Sequence, residues 1–111
     1  TQLKTVNGIE FLAVEVDLTP SAIKDLAFDI GQGKDNLFLV LVTQKGGKPV
    51  ISCYISKAMV AERSMNAGSI VKELGKYIQG GGGGQPFFAT AGGKNPEGIP
   101  AMLEAAAGLV E

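Results

Sequence analysis

Apolar residues recur at two different spacings along the chain, and the alternation of these spacings predicts an α/β fold. The runs at 9–16, 36–44 and 50–56 are rich in β-branched and aromatic residues and have the length of strands. The run at 36–44 is almost continuously apolar, which is typical of an interior strand covered on both faces. Between the runs, apolar residues recur every three or four positions, as they do on one face of a helix.

The order of these segments is β-α-β-β-α-(Gly-rich loop)-β-α over residues 1–111, with a short strand at 86–91 before the last helix. The first strand, helix and second strand form a crossover unit. The short connection after 36–44 predicts an antiparallel hairpin with 50–56. We therefore expect one small α/β domain, with a mixed β-sheet and flanking helices.

The first helix has recognisable start and stop signals. Thr19 is suited to the N-cap position and Pro20 to the first helical position. Gly31 or Gly33 is expected to end this helix, because glycine tolerates the left-handed conformation that often follows a helix.

Two further helices are predicted downstream. The second is expected to begin after an N-cap at Asn66 and to have Gly80 just beyond its last turn. Its apolar face is expected to contain Ile70, Val71, Leu74, Tyr77 and Ile78. The last helix is expected to have its apolar stripe at Ile99, Met102, Leu103 and Ala106.

The composition argues against independent catalysis. The chain contains no histidine, so the commonest general base and the commonest metal ligand are missing. Cys53 is the only cysteine, which excludes an internal disulfide and favours a reducing compartment; we expect it to be a buried apolar residue, with a reactive thiol as the alternative. Ser56 and Lys57 could form a catalytic pair, but are expected to begin a loop.

No targeting or membrane segment is visible in the sequence. Apolar runs stay well below the roughly 18 residues that a membrane span needs, and no signal peptide is recognisable at the start. The sequence begins with Thr1 rather than methionine, and we expect it to be a segment of a longer protein.

Charge is distributed unevenly, although the net charge is only -1. Residues 45–94 contain seven basic and two acidic side chains, whereas the segments on either side each carry a net charge of -3. This pattern allows a weak anion-binding face, and it also fits an ordinary solvated surface.

The stretch GGGGGQPFFATAGGKNP at 80–96 has two interpretations. It could be a flexible connector followed by a tight turn. It could also bind an anion, because glycine allows close approach, and a phosphate could then sit at Gly92 and Gly93 beside Lys94. The spacing is not that of a P-loop. Phe87 and Phe88 could stack on nucleobases, or could belong to the core.

Several short motifs stand out along the whole chain: VNG at 6–8, LVT at 41–43, SK at 56–57, AG at 67–68, GGGGGQP at 80–86 and the A-x-A-GGK-N-P-E-G pattern that follows. Together they resemble the C-terminal domain of bacterial alanyl-tRNA synthetases. DHH-family phosphoesterases share a looser form in their DHH-associated domain, with GGGH where this chain has Gly83, Gly84 and Gln85. The chain also departs from the synthetase pattern, which commonly has arginine in place of Gln85 and a polar residue in place of Phe87.

The resemblance implies that residues 1–111 are a C-terminal globular domain that binds the elbow of alanine-specific tRNA. Other domains of the cytoplasmic synthetase would then carry out aminoacylation and editing with ATP, Mg²⁺ and Zn²⁺. This domain itself would need no cofactor, contact no membrane and catalyse no reaction. A helical arm ahead of the domain is implied to support a homodimer.

The same resemblance, together with the basic character of the middle segment, gives a set of candidate tRNA contacts. They are Gly80, Gly81, Gly82, Gly83, Gly84, Gln85, Pro86, Gly92, Gly93, Lys94, Lys57, Lys72 and Lys76, with Arg63 adding to the positive field.

Two other functions remain open from the sequence. The chain could be the substrate-binding lobe of a DHH-family phosphoesterase. It could also be a protein-interaction module in which the glycine run is only a hinge.

Overall fold

Six strands and four helices make up the described part of the chain, which comprises residues 4–6, 8–44, 47–62 and 65–108 of a computed structural model. The strands are β1 (Lys4–Val6), β2 (Ile9–Glu15), β3 (Leu37–Thr43), β4 (Val50–Ile55), β5 (Gly81–Gly84) and β6 (Phe88–Gly92). The helices are α1 (Pro20–Gly31), α2 (Lys57–Glu62), α3 (Ala67–Gly75) and α4 (Ile99–Gly108). Short 3-10 turns occupy Lys76–Ile78 and Pro96–Gly98.

The strands form a mixed sheet in the order β1-β2-β3-β4-β6-β5. β2 and β3 are parallel and are connected through α1, whereas all other neighbouring strands are antiparallel. The predicted mixed sheet, the crossover unit and the hairpin of β3 with β4 are therefore confirmed. β6 lies between β4 and β5, which leaves β5 at the edge of the sheet.

The middle strand β3 separates two hydrophobic cores. All seven of its residues are buried, as predicted for an interior strand. Phe38, Val40 and Val42 face a core that is closed by α3 and α4. Leu37, Leu39 and Leu41 face a second core beneath α1. Each of these large side chains contributes about 1.5–3 kcal/mol through burial, so β3 anchors both layers of helices.

Cys53 on β4 is fully buried in the first core. Desolvation raises the pKa of its thiol well above the usual range, because the apolar surroundings disfavour the thiolate. The structure thus supports a packing role for this residue rather than a reactive one.

The predicted helix starts are confirmed by their capping hydrogen bonds. The backbone N–H of Ala22 donates to Thr19 Oγ1 at 3.2 Å, and that of Ser69 donates to Asn66 Oδ1 at 3.2 Å. Each such cap contributes about 1 kcal/mol to helix stability. Gly33 has a left-handed φ of 75° beyond the end of α1.

Ser56 stabilises the junction between β4 and α2. Its hydroxyl accepts a hydrogen bond from the Leu37 N–H at 2.9 Å and donates to the Lys34 carbonyl at 3.0 Å. Since the hydroxyl is buried and occupied, it is not placed to act as a nucleophile. The prediction of a loop after Ser56 was wrong, because α2 begins at Lys57.

The second predicted helix is shorter than expected. α3 ends at Gly75 and continues only as a 3-10 turn to Ile78. Gln79, rather than the predicted Gly80, adopts the left-handed conformation after it, with φ of 56°. This change of helical period turns Tyr77 outward, so that it is 44% exposed instead of lying on the apolar face.

The glycine run was predicted as a loop, but Gly81–Gly84 form strand β5. A methyl group on Gly82 would lie 2.6 Å from a backbone carbon of β6, and Gly80 and Gly84 are similarly crowded against that strand. Gly81 and Gly83 differ, because a methyl group on either would meet no atom within 4 Å. Alternate glycines of the run are therefore required by close main-chain contact, and the other two are not.

Helix α3 also lies close to the glycine run, although less tightly than β6 does. A methyl group on Gly75 would lie 3.2 Å from the Gly80 carbonyl oxygen, and one on Gly68 would lie 3.4 Å from that of Gly84. Glycine on both elements lets the helix and the edge strand pack through their backbones. One face of β5 is thereby covered.

Replacing Gly82 with alanine is expected to lower the free energy of unfolding by about 2–3 kcal/mol, because the methyl group would overlap β6. Gly81→Ala is the matched control and is expected to change it by no more than about 0.5 kcal/mol. Neither position has a positive φ, so the two variants differ in the room available for the methyl group and not in backbone strain. Urea unfolding of both variants tests this, and equal stabilities would contradict the close contact.

Candidate nucleic-acid interface

Strand β5 presents main chain rather than side chains at the edge of the sheet. All four of its residues are exposed. Within the described residues, their recorded backbone hydrogen bonds go to β6 alone. An edge strand of this kind offers unpaired N–H and C=O groups to a partner, with no side chain in the way.

The open side of this edge forms a small surface, which we call the glycine face, made of Gly81, Gly83, Thr90 and Gly92. The strand register places Gly81 opposite Gly92 and Gly83 opposite Thr90. Ala89 and Ala91 point to the other side of β6, into the core beneath α3. The main contacts of α1 with the sheet are to β3 and β4, so the glycine face is left open to solvent.

A basic depression lies at one end of the glycine face. It has a volume of about 320 Å³, and its lining includes Lys48, Gln79, Gly80, Gly92, Gly93 and Lys94. Both lysines are exposed. Two ammonium groups beside bare main chain can hold an anion such as a phosphate through charge-assisted hydrogen bonds.

The predicted backbone cradle for a phosphate at Gly92 and Gly93 is not present. The Gly93 N–H donates to the Pro49 carbonyl at 2.9 Å, and the Lys94 N–H donates to the Ile78 carbonyl at 2.8 Å. Asn95 N–H donates to the same Ile78 oxygen at 2.9 Å. These donors are occupied within the chain, so an anion near Lys94 would be held by side chains instead.

The turn after β5 brings two further candidates together with the sheet. Gln85 and Pro86 are exposed. The Gln85 N–H donates to the Phe88 carbonyl, and the Pro86 carbonyl accepts from the Ala67 N–H at the start of α3. The turn is therefore fixed at both ends, and the Gln85 amide projects from a rigid support.

The remaining lysine candidates lie apart from the glycine face. Lys57 begins α2, and its Nζ lies 5.0 Å from the ring centroid of Phe87. Lys72 and Lys76 are exposed on α3 and on the 3-10 turn that follows it, and α3 packs on the opposite side of β5 and β6. Lys76 is also paired with Glu73 at 3.6 Å. The fold thus separates these lysines from the depression at Lys94.

Two basic residues counted in the positive middle segment, Lys45 and Arg63, lie outside the described residues. The described basic residues of that segment are divided between the depression, the start of α2 and the outer face of α3. The structure therefore does not assemble the segment into one continuous basic surface among the residues that it describes.

Sequence reasoning missed three residues beside the glycine face. Lys48 completes the basic depression, and Thr90 contributes the single hydroxyl of the face. Ser52, the partner of Thr90 on β4, is buried, and its hydroxyl has no hydrogen-bond partner among the described residues. All three depend on the pairing of β4 with β6, which joins residues about 40 positions apart and leaves no local signal.

The described residues contain no group of three or more cysteine or acidic side chains that could bind a metal ion. None of the helices in the described part of the chain combines the length and the apolar character needed to cross a bilayer.

Comparison with known proteins identifies the family. Residues 8–111 match the DHHA1 domain, and the chain belongs to the DHHA1 domain family. This agrees with the resemblance that the glycine-rich motifs carry.

Relatives in the family connect the chain to tRNA synthetases. It is 54% identical over 110 residues to the alanine–tRNA ligase of Christiangramia forsetii, a match of 99% of this chain and 13% of that protein. It is 47% identical to the alanine–tRNA ligase of Flavobacterium psychrophilum, covering 100% of this chain and 12% of that protein. The chain thus spans about an eighth of the length of these relatives.

Solved structures show the same fold. The C-Ala domain of Aquifex aeolicus alanyl-tRNA synthetase superposes with a TM-score of 0.87 at 23% identity, over 99% of this chain and 98% of that one. A DHH-domain protein described as a member of a ribosomal protein family gives a TM-score of 0.59 at 17% identity, over 96% of this chain and 27% of that one. The resemblance to the synthetase domain is therefore confirmed, and the fold is shared with a DHH protein.

Proposed function

We propose that this chain is the tRNA-binding C-terminal domain of an alanine–tRNA ligase, and that the glycine face and the basic depression contact the RNA. The observation that carries the proposal is the exposed glycine strand. Gly81 and Gly83 lack side chains although neither packing nor backbone conformation requires it. A partner that must come close to the main chain supplies the missing reason.

Folded RNA is a suitable partner for this surface. Proteins recognise structured RNA largely by shape, through its phosphates and 2′-hydroxyl groups. The glycine face offers main-chain groups and the Thr90 hydroxyl for such contacts, and Lys48 and Lys94 offer cations for a phosphate. The elbow of alanine-specific tRNA is the proposed partner, because the alanine–tRNA ligases are the curated relatives.

In the longer protein, this domain would hold the tRNA while other domains aminoacylate and edit it in the cytoplasm. The resemblance to alanyl-tRNA synthetases assigns ATP, Mg²⁺ and Zn²⁺ to those other domains. A homodimer formed through a preceding helical arm belongs to the same proposal.

The substrate-binding lobe of a DHH-family phosphoesterase is the second candidate. The shared DHHA1 family and the fold of the DHH-domain protein favour it. The chain has Gln85 after its glycines and no histidine anywhere, which argues against the GGGH pattern of that branch. A longer coding sequence with a synthetase core ahead of residue 1 would exclude this candidate, and one with Asp-His-His metal motifs would support it.

We expect fluorescence anisotropy to show binding of whole alanine tRNA and much weaker binding of an acceptor-stem minihelix, which lacks the elbow. The affinity for the whole tRNA should fall as salt rises, because phosphate contacts release counterions. Equal affinity for both RNAs would indicate general attraction to polyanions and would contradict elbow recognition.

Charge removal at two places separates the proposed interface from the outer face of α3. The double variant Lys48→Gln with Lys94→Gln is expected to weaken tRNA binding and to lower the slope of log affinity against log salt by about 2. The matched control, Lys72→Gln with Lys76→Gln, removes the same charge on the other side of β5 and should leave both quantities nearly unchanged. A larger loss in the control would place the RNA on α3.

A further inference from the structure

A cluster of aromatic side chains lies beside the glycine face without being part of it. Phe28, Tyr54, Phe87 and Phe88 account for four of the seven aromatic residues of the chain. The ring of Phe28 lies 5.3 Å from that of Tyr54, 6.3 Å from that of Phe87 and 5.4 Å from that of Phe88. None of the four is fully buried, unlike Phe11 and Phe38 in the core.

The cluster forms one wall of a cavity of about 370 Å³ between the end of α1, the start of α2 and the turn after β5. Phe28, Tyr54 and Phe87 contribute its aromatic lining. This volume is at the small end of the range for ligand pockets and is large enough for a ring system of the size of a nucleobase.

The ring of Tyr54 packs directly against Gly31 at the end of α1. A methyl group on Gly31 would lie 2.6 Å from a ring carbon of Tyr54 and closer still to its hydroxyl oxygen. The tyrosine ring therefore rests directly on the helix backbone. Gly31 therefore leaves room for this ring, which forms part of the cavity lining.

The rim of the cavity carries three exposed polar groups of different kinds: the amide of Gln32, the carboxylate of Asp35 and the ammonium of Lys57. Lys57 Nζ lies 5.0 Å from the Phe87 ring centroid, so a cation stands above one aromatic wall. Lys34 also lines the cavity, but its Nζ forms an ion pair with Glu10 Oε2 at 2.7 Å.

We propose that this cavity binds one unstacked nucleobase of the RNA, a base that carries an exocyclic amino group. The inference rests on the proposed RNA-binding function. Aromatic side chains stack on the faces of unpaired bases, and bases with an amino group donate hydrogen bonds to carboxylate and amide oxygens. Asp35 and Gln32 provide those acceptors at the rim, and Lys57 is placed for the phosphate of the same nucleotide.

Phe87 on the wall of the cavity lies close in sequence to the glycine strand. Only Gln85 and Pro86 separate the last glycine of β5 from Phe87, and their turn is fixed by backbone hydrogen bonds to β6 and α3. An RNA lying along the glycine face can thus place a neighbouring base against Phe87. The cavity would recognise that base, whereas the glycine face would recognise the shape of the RNA backbone.

Phe87→Leu is the first test, with Tyr77→Leu as the matched control. Leucine keeps an apolar contact with Phe28 but removes the stacking face, so tRNA affinity should fall roughly fivefold or more. Tyr77 is an exposed aromatic residue on the 3-10 turn after α3, and its replacement should leave the affinity unchanged. Unchanged affinity in Phe87→Leu, with wild-type binding intact, would overturn the cavity proposal and leave the proposed function standing.

Nucleoside monophosphates test the cavity without depending on tRNA binding. In an NMR titration, AMP, CMP and GMP are expected to shift the amide signals of Gly31 and Phe87, with affinities roughly fivefold above that of UMP. Asp35→Ala changes an exposed side chain, should not affect folding, and should remove this preference. If no monophosphate shifts these signals, the cavity proposal fails even where tRNA binds. If these amide signals shift with the monophosphates while tRNA does not bind, the cavity is a nucleotide site and the proposed function fails.

Discussion

At one end of the sheet, β5 is in direct main-chain contact with β6 and with α3. The architecture around the proposed interface depends on that contact. Gly82 brings β5 so close to β6 that even a methyl group would not fit, and Gly75 lets α3 lie against Gly80 at the start of the glycine run. Gly93 continues the contact, since a methyl group there would overlap the Ile78 side chain and carbonyl. Close backbone contacts thus join helix α3, the edge strand and the turn before α4, in addition to the side-chain packing of the core.

This packing has a direct consequence for the surface. A strand that is covered by α3 on one side and held by β6 along its length can remain ordered without side chains of its own. Its open side then presents a flat, bare main chain, which ordinary strands cannot do because alternate side chains project from them. Rigidity that comes from the fold replaces the ordering cost that five adjacent glycines would otherwise add to binding.

Electrostatics has a supporting role. The chain carries a net charge of -1, and the described lysines of its basic middle segment are divided among three places instead of forming one basic stripe. Lys48 and Lys94 are the two that stand beside the glycine face. Such a surface suits a domain that recognises RNA shape within a larger protein, where other domains share the binding energy.

Side-chain patterns in the sequence predicted the parts of the fold that side chains determine. The apolar run of β3, the caps at Thr19 and Asn66 and the last helix are all as expected, because periodicity and capping are local properties. The glycine run could not be assigned in this way, since glycine has no side chain to show a period and is unfavourable within strands. The candidate site was predictable only in part: its glycine positions and Lys94 were proposed from composition and resemblance and stay a prediction. The occupied N–H of Lys94, the share of Lys48 in the depression and the aromatic cavity were missed, since each joins segments that are distant in sequence.

The central claim is that RNA lies on the glycine face, and the backbone amides of that face report on it directly. In a ¹⁵N-labelled chain titrated with alanine tRNA, the amide signals of Gly81, Gly83, Thr90 and Gly92 should shift or broaden first. The amides of Lys72 and Lys76 on the opposite side should stay unchanged. Saturable tRNA binding that perturbs α3 and leaves those four signals in place would contradict the account.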